Sequence, residues 1–313
     1  MKKIKKEIVI VCPVYNEEEN IRFFIDSFNS ITNKLQHHYS FSYLFLDNCS
    51  EDKTLQTLLG FKKIHKNISI IKYSRNFGVM KSIYTGIINV SKNASACLIF
   101  DCDLQDPPNL ILDFLKKWEE GYKVVYGSRE KRNESYFLTF MRKRYRNLEK
   151  FFKGYNVQIE SGAWLLDKRI VEELRRSNYE PYLAGQISRL GFRSVGVFYN
   201  RNARKYGQTK FNFSKYFSYA IDSLVSGTIF PLRVSIFFGF MFSLFAFMLA
   251  IYFILAKFYF GVEFQAGIVA SIVILLFGFG LNFIFLGLIG EYLGRVYLKD
   301  QSNSLAIIDK IYD

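Results

Sequence analysis

From residue 7 to residue 126 the chain alternates short apolar runs with amphipathic segments. The runs 7–12, 41–46, 68–73, 96–100 and 122–126 have the length and β-branched or aromatic character of strands. Between them, 18–32, 52–65, 78–90 and 108–119 repeat apolar residues at helical spacing. Regular strand–helix alternation predicts an α/β fold with a doubly wound, mostly parallel sheet. The rhythm breaks at 128–160, a polar loop followed by a basic, aromatic segment. A strand, two short helices and a last strand at 194–199 are then expected within 161–200.

Further on the pattern changes in kind. Residues 234–256 and 267–290 carry no charge, and each reaches the roughly 20 residues that a helix needs to cross a hydrocarbon core. They predict a two-helix transmembrane hairpin, preceded by interfacial amphipathic helices at 211–233 and followed by a tail at 291–313. Basic residues on both flanks place residues 1–210 and both termini on the cytoplasmic side, expected at a bacterial inner membrane. No signal peptide precedes the first strand, where only a strand-length apolar run is found. Four cysteines, Cys12, Cys49, Cys97 and Cys102, lack metal-type spacing and are expected to be reduced, buried thiols.

Charge sharpens the picture. The net charge is +14, from 42 Lys and Arg against 28 Asp and Glu. Much of the excess falls between Arg129 and Lys153, among Tyr136, Phe137, Phe140, Tyr145, Phe151 and Phe152. Beside apolar runs this favours a bilayer with anionic headgroups as partner, and no motif for nucleic acid is present.

Four strand ends are followed by polar loops: Pro13-Val14-Tyr15-Asn16-Glu17, Asp47-Asn48-Cys49-Ser50-Glu51-Asp52, Ser74-Arg75-Asn76-Phe77-Gly78 and Asp101-Cys102-Asp103-Leu104-Gln105-Asp106. In an open α/β sheet these loops gather on one edge, where ligands bind. Asp-x-Asp there offers clustered oxygens to a hard divalent cation, Mg²⁺ or Mn²⁺, of the kind usually shared with substrate phosphates. Taken singly, each loop has a structural explanation as a cap or a turn; together they point to one cleft.

The series PVYNEE, D-x-x-S-x-D-x-T, SRNFG, DxDLQDPP and VVYGSR, then Arg204-Lys205-Tyr206-Gly207-Gln208-Thr209-Lys210 and GEYLGRVY, resembles the family 2 glycosyltransferases that charge polyprenyl phosphate. The resemblance covers roughly residues 8–298. It implies a nucleotide-sugar glycosyltransferase fold of the A type and a membrane-bound, inverting hexosyltransferase for cell-surface glycan modification. The donor would be a nucleotide-diphosphate sugar, UDP favoured and GDP an alternative, and the acceptor undecaprenyl or dolichyl phosphate. Pro13, Tyr15 and Glu17 would lie around ribose and base, Asp47 or Asn48 near the base, and Arg75 and Asp101 close to the nucleotide. Asp101, Asp103 and Gln105 would hold the cation, with Asp103 foremost. Arg129, Arg204 and Lys210 would grip phosphates. A homo-oligomer is left open.

Two departures from the family pattern matter. Asp47-Asn48-Cys49-Ser50 stands where Asp-Asp-Gly-Ser is common, and in Glu160-Ser161-Gly162-Ala163-Trp164-Leu165-Leu166 an acid is replaced by Ala163 and an Arg by Leu165. Glu160 is the acid that remains. A phosphate acceptor tolerates the loss, because its second pKa of about 6 leaves it ionised near neutrality. The competing readings are a processive polysaccharide synthase and an inactive membrane scaffold. Against the first, Gln186-Ile187-Ser188-Arg189-Leu190 lacks the Trp that such enzymes carry after Gln-x-x-Arg.

Overall fold

The computed structural model describes residues 5–129, 162–178, 182–202, 267–301 and 305–313, with scattered positions within 140–157 and 232–259. The chain divides into two compact units: Met1–Ser226 with Asn303–Asp313, and Gly227–Ser302.

The first unit is built on an eight-stranded sheet of order β7-β5-β6-β4-β1-β2-β3-β8. Its strands are β1 Lys6–Val14, β2 Tyr39–Asp47, β3 Ile68–Tyr73, β4 Ala96–Ile99, β5 Val124–Arg129, β6 Trp164–Asp167, β7 Ser194–Tyr199 and β8 Ile308–Tyr312. Helices α1 Glu18–Leu35, α2 Thr54–Ile64, α3 Val79–Ile88 and α4 Leu110–Glu119 connect the first five. The parallel pairs are β1–β2, β1–β4, β2–β3 and β5–β7, whereas β6 runs antiparallel to β4 and β5, and β8 antiparallel to β3.

Strand periodicity divides the core in two. Val9 and Val11 of β1 join Ile83, Tyr84 and Ile87 of α3 on one face, with Ile170 and Leu174 of helix Lys168–Arg176. Ile8, Ile10, Cys12 and Val14 face the other way, onto Phe24 and Phe28 of α1 and Phe114 and Trp118 of α4. Burying both faces of β1 is what makes it continuously apolar. Three of the cysteines are buried as expected, and Cys49 is half-buried; all four are free thiols.

The C-terminal strand was not legible beforehand. Residues 291–313 read only as a tail, yet Ile308–Tyr312 completes the sheet edge. Just ahead of it, the Ile307 carbonyl accepts from Ser74 N–H at 3.0 Å, and Thr85 Oγ1 accepts from the N–H of buried Ala306 at 2.9 Å.

The second unit corrects the transmembrane hairpin. Most of its first run, 234–256, lies outside the described residues, as do the interfacial helices expected at 211–233. The second run is not a separate span ending at Gly290. It is the first part of a 35-residue helix, Gly267–Gln301, that continues through Glu291 because no proline follows Gly290 within it and the single Gly294 is too weak a breaker to end it. Among the described residues no helix is long and apolar enough to cross a membrane. That finding overturns the hairpin and the integral-membrane localisation drawn from it.

Candidate active site

The loops leaving β1, β2, β3 and β4 do lie at the carboxyl ends of neighbouring parallel strands. Each contains one residue in the left-handed region: Asn16 at φ 54°, Cys49 at 62°, Gly78 at 84° and Leu104 at 54°. Among the described residues, no other non-glycine residue has positive φ. Such conformations cost about 1–3 kcal/mol for a non-glycine residue and cluster where a site fixes the backbone.

Side chains lace the first three loops together. Asn16 does not cap α1; its Oδ1 accepts from Glu51 N–H at 2.9 Å, while Asn16 N–H donates to Ser50 Oγ at 3.1 Å. Glu17 N–H donates to Thr54 Oγ1 at 2.8 Å, and Lys53 N–H to Glu18 Oε2 at 3.0 Å. Asn48 is occupied on both sides of its amide, donating to Asn76 Oδ1 at 3.0 Å and accepting from Phe77 N–H at 3.0 Å. It therefore staples the second loop to the third, while Asp47 beside it keeps a buried Oδ2 with no hydrogen-bond partner. Asp47 Oδ1 accepts from Ser50 N–H at 3.1 Å. Pro13, Tyr15 and Glu17 are half-buried along the same edge, with Glu17 Oε2 accepting from Asn20 Nδ2 at 2.6 Å. Arg75 is exposed and stacks over the Phe77 ring at 4.1 Å.

The fourth loop holds the acids. Asp103 Oδ1 accepts from Gln105 N–H at 3.1 Å, folding the loop over itself. The Asp101 carboxyl is pushed up to about 7, first by burial, then by the charges of Asp103 and Asp106; Arg201 opposes the shift. Buried Asp106 accepts from Tyr199 O–H and faces Arg201 Nε at 3.3 Å, while its Oδ2 has no hydrogen-bond partner. Burial and the Asp106 charge raise the Tyr199 phenol. Beneath the loop, Cys12 and Cys102 are buried neighbours, and burial chiefly holds the Cys12 thiol in its neutral form.

Gly162 makes this crowding feasible. A Cβ there would meet Asp101 Oδ2 at 2.6 Å and Asp106 Oδ2 at 3.4 Å. The next residue, Ala163, is fully buried, as is Leu165, both in the core layer under the site. Arg129 ends β5 opposite Tyr199 in the β5–β7 register, with its Nε buried and without a hydrogen-bond partner. Glu160, Arg204 and Lys210 lie outside the described residues. Gln186 is buried and donates to the Asn178 carbonyl at 2.8 Å, a backbone-bracing contact rather than one on the acid loop.

Among the described residues, no three His, Cys, Asp or Glu side chains converge closely enough to hold an ion alone. The donor set nevertheless fits Mg²⁺ or Mn²⁺. Such ions are commonly held by one or two carboxylates together with substrate phosphates, and the burial and crowding of carboxylates that raise Asp101 are what a bound cation would offset.

The sequence motifs single out Asp101, Asp103, Gln105 and Arg129; Asp106 stands only as the last acid of its motif, and Tyr199, Gly162 and Arg201 carry no motif-level signal. The only available signal was the third acid in Asp101-Cys102-Asp103-Leu104-Gln105-Asp106.

Comparison with known proteins agrees with this architecture. The chain is 31% identical to an uncharacterised glycosyltransferase of Synechocystis, covering 98% of this chain and 96% of the relative. It is 29% identical to the undecaprenyl-phosphate 4-deoxy-4-formamido-L-arabinose transferase of Photorhabdus laumondii, over 98% and 94%. With the bactoprenol glucosyl transferase of Shigella phage SfX it shares 27%, over 96% and 98%. In fold it is similar to the glucosyl-3-phosphoglycerate synthase of Mycobacterium tuberculosis, solved with Mn²⁺, UDP-glucose and phosphoglyceric acid. There the TM-score is 0.50 at 15% identity, covering 71% of this chain and 79% of that one. Residues 9–175 match glycosyl transferase family 2, more than half of the chain, and the chain belongs to that family.

Proposed function

We propose that this glycosyltransferase moves a hexose from a nucleotide-diphosphate sugar, UDP favoured, to a polyprenyl phosphate with inversion at the anomeric carbon. The observation that carries the proposal is the acid loop at the sheet's carboxyl edge, where Asp101, Asp103 and Asp106 are gathered and Asp101 is raised first by burial and then by the other two charges. Undecaprenyl phosphate and bactoprenol in the names of two relatives, and UDP-glucose and Mn²⁺ in the structural neighbour, support it.

Pro13, Tyr15, Glu17 and Arg75 would line the nucleotide. Asp47, with a free buried Oδ2, suits a base N–H donor better than Asn48, whose amide is already bonded on both sides. Asp101, Asp103 and Gln105 would hold Mg²⁺ or Mn²⁺, which when bound supplies positive charge to the diphosphate as it departs. Arg129, Arg204 and Lys210 would bind phosphate oxygens. An acceptor phosphate oxygen forms the new bond to the anomeric carbon while the bond to the diphosphate oxygen breaks, and the electron pair leaves with the nucleoside diphosphate. No side chain needs to take a proton from a phosphate already ionised near neutral pH. Buried Ala163, which stands where the family pattern resembled by this sequence would imply an acid, agrees with that.

The test begins with a thermal-shift screen of UDP, GDP, CMP and dTDP sugars with Mn²⁺; a ligand at 100 times its Kd adds about 2.7 kcal/mol to stability. The stabilising donor is then offered with undecaprenyl phosphate, and the anomer of the product is read by NMR. Lipid-linked sugar of inverted configuration, absent with Asp103→Asn, is expected. Water as the sole acceptor, or a retained anomer, refutes the proposal.

A further inference from the structure

Beyond the motif residues, a second cluster joins the acid loop to the end of β7 by three contacts. Asn202 N–H donates to the Gln105 carbonyl at 2.9 Å, Tyr199 O–H donates to Asp106 Oδ1, and Arg201 Nε lies 3.3 Å from that same oxygen. The Asp106 side chain is 1% exposed, whereas that of Arg201 is 27% exposed. A structural Arg–Asp lock is commonly a bidentate fork in which both carboxylate oxygens accept. Here Asp106 Oδ2 and Arg201 Nε are both buried without a hydrogen-bond partner, so the contact is one of charge and placement. Asp106 Oδ2 and Asp101 Oδ2 both lie within 3.4 Å of the point where a Gly162 Cβ would stand. A partly exposed guanidinium is thus fixed against the acids proposed to face the phosphates.

We propose that Arg201 is an anion-binding residue of this site, taking a phosphate oxygen of the donor diphosphate or of the acceptor monoester, and that Asp106 is its positioning residue. The inference rests on the proposed function. Asp106, anchored by Tyr199, sets the place of the guanidinium without consuming its donors, which is what a preorganised phosphate contact requires. It also explains why a carboxylate is buried on this loop beside two others, since without Tyr199 and Arg201 its burial would be strongly unfavourable.

Titration calorimetry with two probes separates the sources: inorganic pyrophosphate with Mn²⁺ for the diphosphate, and farnesyl phosphate for the monoester. Arg201→Ala should weaken one probe about 10- to 100-fold, as expected for a hydrogen bond to a charged group, and leave the other within about twofold. The probe affected names the phosphate. Arg201→Lys, which keeps the charge and the fold, should weaken the same probe by less. Asp106→Asn should weaken it too, but should add nothing in the Arg201→Ala background; a merely structural role would give additive losses. Wild-type protein that binds a probe which Arg201→Ala and Arg201→Lys bind equally well overturns the assignment of Arg201, and additive effects overturn that of Asp106. Wild-type protein that binds neither probe overturns the proposed function and this inference together.

Discussion

Replacing Gly162 by Ala adds one methyl group at the most crowded point of the acid loop. The new Cβ would lie 2.6 Å from Asp101 Oδ2 and 3.4 Å from Asp106 Oδ2. Ordinary contact begins near 3.4 Å, so the Asp101 carboxylate must retreat by about 0.8 Å, into a pocket already shared with Asp106. Overpacking of this kind costs about 1–3 kcal/mol. A displacement near 1 Å at a reacting centre costs about 100-fold in rate. Gly86→Ala is the control, because its Cβ would strike Leu46 in the core, remote from the acids. Both variants should lower Tm, but only Gly162→Ala should also weaken Mn²⁺ binding, followed by electron paramagnetic resonance of the free ion, and reduce kcat by about two orders of magnitude. Mn²⁺ affinity and kcat within about twofold of wild type in Gly162→Ala would refute the reasoning, since the carboxylate would then have room to move without consequence.

Three further outcomes are expected. Asp101, raised from an ordinary value of 3.8 to about 7, keeps a proton in the folded protein that the unfolded chain releases. Metal-free stability should therefore fall as pH rises from roughly 4 to 7, and the slope should vanish in Asp101→Asn; an unchanged slope in thermal melts with chelator sinks this account. Thr85→Val leaves the buried Ala306 N–H without its acceptor, a loss of about 1–3 kcal/mol in urea unfolding, and wild-type stability would show that the C-terminal segment is not held there. Glu160→Gln should lower kcat by less than about 100-fold, with the acidic limb of the pH profile near the acceptor's pKa of about 6. A loss above about 1000-fold with donor binding unchanged would make Glu160 a general base.

The sequence by itself determined the strand–helix rhythm, because both signals are local: short, continuously apolar runs mark strands such as β1, buried on both faces, and helical spacing marks α1 and α4. It also determined the four polar loops, since parallel strands joined by helices must present them on one edge. Uncharged length alone suggested a membrane hairpin, but where a helix stops depends on breakers and caps. No proline follows Gly290 before Gln301, and the helix runs on past Gly294 to Gln301. The tertiary structure alone decided the rest. Five residues, Ile308–Tyr312, become a strand only because the β3 edge offers unpaired backbone and Lys72 offers Asp309 a partner at 2.6 Å, more than 200 residues away in the chain. Asn48 bonds the third loop through both sides of its amide, a contact that sequence could not show because it cannot place that loop beside it. Asp106, Tyr199 and Arg201 had no shared motif; their meeting depends on β7 lying parallel to β5 at the far edge from β8, a pairing set by long-range packing rather than by any local pattern.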